Sequence, residues 1–506
     1  PPRPLRRDSP TVCSDNALYD YALPSKDSHS FLESGTFGSE SLIRGITPSY
    51  LINTTRMEEM GREPSEHARW MAKDLSPWAG EGISAELVGS ALDLGRLCSN
   101  STILVSIRDG KLHASLPTEP QLAQDALRLH SMLLNILETL RTFPGAVPDL
   151  ELVLLSGDQP CVRKKWAHGA LPMPVFGRQG SVRHHDLPLP DFGLWAGGES
   201  PAERILAPSG EPILGWDQQS ELLREKYGRV SSLIRVPQVF WRGPPSPTED
   251  PDTLRHVFAS CAASMNVEDR AADAALFNSG PFPALALQEA CDFRYSAHIE
   301  AQAHPQTLRH RLACGSLVLS YSADYWEWWT RALEPGTHFI RLFAYEQELC
   351  SVTVRALNDL NILYGTVGKQ ALRDGRREPT PSLRDTRFRL INSSVGRPLM
   401  RRIAPDDAPV PSKAGRYSWN SDKVPWQLSW EGQQFIANRV KAEHALLYTR
   451  DMLRAYAALL RYAPAPKNEA PCYDGQVLLD SVKKIDAEQA AALFKAYPWL
   501  PELGRC

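Results

Sequence analysis

The sequence has no apolar run of membrane-spanning length, so no segment of it reads as a bilayer span. No G-x-G-x-x-G follows a strand pattern and no G-x-x-x-x-G-K-[S/T] occurs, which removes a dinucleotide fingerprint and a P-loop. H-E-x-x-H and G-x-S-x-G are missing too, and with them the zinc-peptidase and serine-hydrolase readings. Asp191-Phe192-Gly193 imitates a kinase magnesium motif, but the H-R-D and Gly-rich loops that should accompany it are absent. No sign of charge dominates. With 56 basic and 59 acidic residues the net charge is -3, so no global field points to nucleic acid or an anionic bilayer. The nine cysteines include no Cys-x-x-Cys pair, which argues against a zinc site.

A chain of 506 residues is too long for one small core, and two domains with extensions are expected. Residues 1–72 read as an N-terminal extension, rich in Pro, Ser and Gly, with a helical pattern only over 49–72. The chain opens PPRPLRR, so a targeting segment or anchor is expected upstream or removed, and any membrane contact is expected only through it. Glycosylation sequons at Asn53, Asn100 and Asn392, together with nine cysteines, tilt toward the secretory lumen, with Golgi ahead of endoplasmic reticulum. Cys506 is expected to be unpaired, whereas Cys291 and Cys314 flank one strand-to-helix unit and could pair.

The pattern predicts a Gly-rich turn into a helix over 74–92, with Ser84 as N-cap. A hairpin is predicted around Asp109-Gly110 over 102–115, then an amphipathic helix over 119–143. The segment Val147 to Pro160, VPDLELVLLSGDQP, reads as a turn, a strand buried in a parallel sheet, and a small loop carrying Asp158. A second strand–helix alternation follows: strands at 236–243, 291–300, 316–322 and 337–343, and helices at 252–264, 307–315 and 325–333. This order implies right-handed crossovers and parallel sheets. Residues 366–428 read as an insertion with little periodicity, 430–462 return to helix, and 463–506 form a C-terminal extension with a helix over 486–497.

Several blocks then resemble one family, glycosyltransferase family 90, the family of protein O-glucosyltransferases and fungal capsule-associated xylosyltransferases. The blocks are DLSPWAGEGIS (74–84), VPDLELVLLSGDQP (147–160), HDLPLPDFGLW (185–195), VFWRG (239–243), CDFRYSAHIEAQAHPQTLRHRLACGSLVLSYSADYWEWWTRALEPGTHFI (291–340) and GQQFIANRV (432–440). The resemblance implies an α/β fold of two Rossmann-like lobes facing a cleft (GT-B type). The N-terminal lobe over 73–235 is expected to carry the acceptor side, and the C-terminal lobe over 236–462 the nucleotide-sugar side. It implies inversion at the anomeric carbon with no metal and no cofactor, a UDP-sugar donor (glucose or xylose), a protein or glycan acceptor, and no nucleic-acid partner.

Matched by position, Asp158 takes the place of the catalytic base, Arg242 and Gly243 that of the family's F-x-R-G, and Gln302, Ala303, His304, Pro305, Gln306 and Thr307 that of the diphosphate loop. Arg309 takes the place of a following Lys or Arg, Cys291 and Cys314 match a family disulfide, and Trp195 and Asp191 fall where acceptors bind. There are departures. Animal members have Arg at Thr307, and the Ser that often follows F-x-R-G is Pro244.

These residue types suit the chemistry. In-line displacement needs a carboxylate to take the acceptor's proton, a contribution of ~10²–10⁴-fold. A diphosphate leaving without a metal needs arginines and backbone amides. Arg255, on the helix after Arg242, is a second candidate clamp, and Arg311, two residues past Arg309, is expected to face another way. Phe240, Trp241 and Tyr295 read as core aromatics before sugar platforms, and Trp326, Trp328 and Trp329 as packing residues. Two rivals predict different behaviour. A binding module that kept the fold and lost catalysis is indifferent to Asp158, and a metal-dependent transferase using Asp250 and Asp252 is stopped by chelator.

Overall fold

The computed structural model describes residues 65–504 except 117–122, 158, 167–170, 191, 195–204, 207–211, 214, 229, 231, 233, 244–253, 266–270, 282–288, 301–306, 322–323, 343, 345, 374–416, 419–424, 465–469 and 498. Helices α1 (Ser65–Leu75) and α2 (Ala85–Cys98) lead into a hairpin of β1 (Thr102–Arg108) and β2 (Lys111–Ala114). The Ser84 hydroxyl accepts from the Leu87 amide at 3.2 Å and so caps α2. Asp109 and Gly110 have φ of 48° and 73°, the two left-handed positions that a two-residue hairpin turn requires. At Gly95 a Cβ would sit 2.5 Å from the Thr102 methyl, so glycine lets α2 lie directly on β1.

Helix α3 (Ala123–Thr142) follows, then β3 (Leu150–Leu155), β4 (Val175–Gly177), β5 (Gly180–Ser181) and β6 (Leu187–Pro188). The first sheet runs β2-β1-β3-β4-β6. Strand β3 is buried, as its apolar run requires, but the sheet is mixed: β1 pairs antiparallel with β2 and β3, while β3, β4 and β6 are parallel. The hairpin turn causes this, because it returns the chain with no crossover helix. Helix α3 is not one-sided. Residues 129–140 are buried all round, including Asn135, Glu138 and Thr139. The C-terminal helices α9 (Ala442–Ala457) and α10 (Gly475–Ile485) cover its outer face, and Asn135 Nδ2 donates to Thr449 Oγ1 at 2.7 Å.

After the short strands β7 (Ile205–Leu206) and β8 (Pro212–Ile213) and helix α4 (Trp216–Tyr227) comes the second sheet. Its strands are β9 (Val236–Gly243), β10 (Phe277–Pro281), β11 (Phe293–His298), β12 (Leu317–Ser320), β14 (Ile340–Leu342) and β15 (Tyr417–Ser418), in the order β10-β9-β11-β12-β14-β15. The first five are parallel and β15 is antiparallel. Counted within this sheet the parallel order is 2-1-3-4-5, a doubly wound arrangement whose direction reverses between β9 and β11. Helices α5 (Leu254–Ser264) and α7 (Leu349–Arg373) pack together on it, while α6 (Thr307–Ala313) packs with α8 (Pro425–Arg439) and α4.

Two expectations are corrected. Residues 325–333 are not a helix: β13 (Tyr325–Trp326) pairs with β5, and a single 3₁₀ turn spans Thr330–Ala332. The buried Trp328 and Trp329 mimic a helical stripe but fill the core. The stretch from 349 is helical to Arg373, so residues 366–373 continue a helix where little periodicity was expected. The helical reading of 430–462 is met by two helices that meet at Val440–Lys441.

Pairing of Tyr325 and Trp326 with Ser181 and Gly180 joins the two halves of the chain, as do the bonds from Arg331 to Asp74 at 2.8 and 2.5 Å. Three disulfides stitch the described residues: Cys291–Cys314, which the resemblance implied, and Cys98–Cys161 and Cys261–Cys350, which no spacing signalled. Cys472 is also disulfide-bonded. The expectation for Cys506 falls outside the described residues.

Candidate active site

Strand β3 ends at Leu155, and the chain turns through Ser156 and Gly157 to Asp158. Asp158 itself lies outside the described residues, but the segment after it is firmly held. Cys161 is bonded to Cys98 at the end of α2. The carboxylate of buried Asp186 accepts from the Cys161 amide at 2.7 Å and from the Val162 amide at 2.8 Å, and the His185 amide donates to the Val162 carbonyl at 2.8 Å. Burial outweighs these backbone hydrogen bonds and pushes the Asp186 carboxyl up to about 7.

His184, His185 and Asp186 read by residue type as a polar turn before the Pro-rich stretch, ahead of a set of metal ligands. In the structure they belong to the turn: His184 Nδ1 meets Ser181 Oγ at 2.6 Å, and Asp186 fastens the post-β3 loop. Burial, then the charges of Arg163, Arg183, Lys164 and His185, hold the His184 imidazole down near 4.

The second group of candidates lies where the second sheet reverses direction. Strands β9 and β11 pair in parallel with Ser296 opposite Phe240, so Arg242 and His298, two residues further along each, end side by side. Ligands of doubly wound sheets bind beyond the carboxyl ends of strands at such a point. The Arg242 side chain turns to the β10 side of its strand: its Nη1 donates to the Asn278 carbonyl at 2.5 Å, its Nη2 to Asn278 Oδ1 at 2.5 Å, and its guanidinium lies 4.8 Å from the Phe240 ring centre. Gly243 closes the strand. Beyond β11, buried Glu300 accepts from the Asp324 amide at 2.8 Å and stands 4.0 Å from His298 Nε2. Phe240, Trp241 and Tyr295 are buried core residues, as expected.

Gln302, Ala303, His304, Pro305 and Gln306, and likewise Asp191, Trp195, Asp250 and Asp252, lie outside the described residues. Thr307 opens α6. Arg309 is buried, with its guanidinium 4.8 Å from the Trp216 ring centre and against Gly193, where a Cβ would collide with it. Trp216 is fixed in turn by its Nε1 donating to the Val440 carbonyl at 2.6 Å. Arg255 lies on the first turn of α5. Asn100 is exposed in the turn between α2 and β1, whereas Asn53 and Asn392 lie outside the described residues.

Two residues escaped the sequence reading. Asp186 reads in the sequence as part of a polar turn or as a metal ligand, and nothing local announces that it reaches back 25 residues to Cys161. Arg311 was set aside as facing away from Arg309. It does lie on a different side of the short helix, but it is buried at 5% exposure.

The family model described as glycosyl transferase family 90 matches residues 60–356. O-glucosyltransferase rumi of Drosophila melanogaster is 23% identical over 301 residues, covering 56% of this chain and 64% of that protein. The rumi homologue of Aedes aegypti is 24% identical over 307 residues, covering 56% and 66%. Human protein O-glucosyltransferase 1 is 27% identical over 201 residues, covering 39% and 49%. The chain thus spans less than two thirds of the length of these relatives. With the matched region covering more than half of its residues, the chain belongs to glycosyl transferase family 90.

Proposed function

We propose that this protein is an inverting, metal-independent glycosyltransferase that moves glucose or xylose from a UDP-sugar to a hydroxyl of a protein or glycan. The observation that carries the reading is the reversal point of the second sheet, where β9 ends at Arg242 and Gly243 beside the end of β11. A nucleotide sits naturally at such a point, and a guanidinium there can neutralise a departing diphosphate. The relatives named as O-glucosyltransferases support glucose as the sugar and a protein as the acceptor.

In this reading Asp158 takes the acceptor hydroxyl's proton as the oxygen attacks the anomeric carbon, and the bond to the diphosphate breaks on the opposite face. Such a base contributes ~10²–10⁴-fold. Asp186 and the Cys98–Cys161 disulfide keep the Asp158 loop at the end of β3. The lobe over 73–235 presents the acceptor, with Asp191 and Trp195 lining its site. The lobe over 236–462 holds the donor through Arg242, Gly243, Arg255, residues 302–307 and Arg309. Three disulfides among the described residues support the lumen of the secretory pathway as the working compartment.

The test is UDP release from UDP-glucose, UDP-xylose, UDP-galactose and UDP-glucuronate, each with chelator present and no acceptor. Slow release from glucose or xylose alone is expected. No release from any donor, with no thermal shift on adding UDP, overturns the reading.

A further inference from the structure

The chain holds more acidic than basic residues, 59 against 56, yet one part of its surface gathers cations. The segment after Cys161 and the segment after β5 run side by side. The Lys164 amide donates to the Arg183 carbonyl at 2.8 Å, Arg163 and His184 form a bridge, and Lys164 Nζ donates to the Val182 carbonyl at 3.0 Å. This ribbon presents Lys164, Lys165 and Arg183, with exposed Val182 among them. Lys73 on α1 joins the group: burial first, and the Lys73 charge second, hold the Lys164 ammonium below its ordinary value.

Among the described residues, the acids beside this group are Asp74 and Asp324. Arg331 already holds Asp74. Asp324 lies 3.5 Å from Arg183, but the two side chains are 49% and 73% exposed, and a pair so open to water offsets little of the charge. Like charges held together on a folded surface repel one another, and an acidic partner relieves that repulsion.

The place of the ribbon in the fold is specific. Lys164 and Lys165 lie on the segment that follows Asp158 beyond the carboxyl end of β3. Arg183 lies just past β5, the strand that pairs with Tyr325 and Trp326. The amide of Asp324, the residue before that pair, donates to Glu300 beyond the carboxyl end of β11. The cations therefore flank the Asp158 loop on one side and the carboxyl edge of the second sheet on the other.

We propose that Lys73, Lys164, Lys165 and Arg183 form a docking surface for a carboxylate-rich stretch of the polypeptide acceptor. The inference rests on the transferase reading for the role of that partner. Acceptor carboxylates would pair with the four cations and bring a neighbouring hydroxyl to the Asp158 loop. Val182 suits a polypeptide, which brings apolar side chains along with its carboxylates. Charges at a rim act on encounter and orientation, and their effect fades with salt.

The experiment is fluorescence anisotropy of the full chain with a labelled peptide of alternating Glu and Ser, at about 0.05 M and about 0.5 M salt. A Lys–Ser peptide and dextran sulfate serve as comparisons. The proteins are wild type, Lys165→Glu with Arg183→Glu, and Lys483→Glu with Lys484→Glu, an equal reversal of charge on α10. Wild type should bind the Glu–Ser peptide at low salt and not the Lys–Ser peptide. K165E with R183E should weaken that binding about tenfold or more, and high salt should erase the difference. The α10 reversal should stay within about twofold of wild type. Melting temperature and UDP affinity should match in all three proteins, because the altered side chains are exposed.

Equal peptide affinity in wild type and K165E with R183E overturns the surface. An equal loss in the α10 reversal does so too, since the effect would then belong to net charge. Dextran sulfate held through Lys165 and Arg183, with no binding of the Glu–Ser peptide, overturns the polypeptide partner and gives the patch to an anionic glycan. Peptide binding that depends on these side chains, in a protein that turns over no UDP-sugar, keeps the surface and removes the transferase reading. UDP-sugar turnover in a protein whose peptide binding ignores them keeps the transferase and removes the surface.

Discussion

The carboxylate of Asp186 accepts the Cys161 backbone amide at 2.7 Å across 25 residues of sequence. It thereby fixes the segment that follows Asp158. Replacing it with Ala strands two buried amide donors, at a cost of about 2–4 kcal/mol. The displaced loop should lower kcat about tenfold or more while UDP binding stays the same. Chemical denaturation and steady-state kinetics of Asp186→Ala check both effects. A stability loss with kcat unchanged would mean that the loop does not carry the base.

The same carboxyl makes a pH prediction. Its folded-state value is raised to about 7, whereas an unfolded aspartate titrates near 4. Between those values the folded chain holds a proton that the unfolded chain has released, so this group's contribution to stability falls as pH rises from about 4 to about 7 and is level above. The advantage of wild type over Asp186→Asn should therefore be larger at pH 5 than at pH 8. Denaturant midpoints of the two proteins at both values decide it.

Cys98 and Cys161 close a loop with a sequence separation of 63. Chain entropy puts the stabilisation at about 4 kcal/mol as an upper figure. Cys98→Ala with Cys161→Ala should lower the melting temperature and lose activity before it loses global fold, since Asp158 lies inside that loop. Circular dichroism against UDP release along one temperature ramp compares the two.

Asp74 and Arg331 form a nearly buried pair, with side chains 9% and 10% exposed, and Arg331 also lies 5.0 Å from the Trp70 ring centre. Asp74→Ala leaves the guanidinium uncompensated and should cost about 3–5 kcal/mol. The double change Asp74→Ala with Arg331→Met should recover much of that. A double-mutant cycle by denaturant melts measures the coupling.

Asn278 holds Arg242 through both its carbonyl and its side chain. Asn278→Ala should weaken UDP several-fold by freeing the Arg242 fork, and Arg242→Ala should weaken it about ten- to a hundredfold. Uridine titration is the control, because neither change should affect a ligand without phosphate.

Much of the second sheet was legible. The runs at 236–243, 291–300 and 316–322 are short, apolar and separated by helical patterns, and they became β9, β11 and β12. The Asp109-Gly110 turn was equally plain, because two left-handed residues leave few alternatives. What failed depended on partners distant in sequence. The mixed first sheet follows from which edge β1 takes, and periodicity does not encode that. Helix α3 reads as one-sided because its Asn135 and Thr139 count as polar, yet Thr449, more than three hundred residues on, buries that side. The place of Arg242 at a strand end was legible from its segment, whereas the hold of Asp186 on Cys161 is a contact that only the fold brings together.

The central claim is that Asp158 is the base of a metal-free transferase. UDP release from UDP-glucose and UDP-xylose, measured with chelator for wild type and Asp158→Asn alongside the UDP dissociation constant of each, tests it directly. The account predicts a fall of about a hundredfold or more in turnover with UDP binding unchanged. Turnover in Asp158→Asn equal to wild type, or activity abolished by chelator, would contradict it.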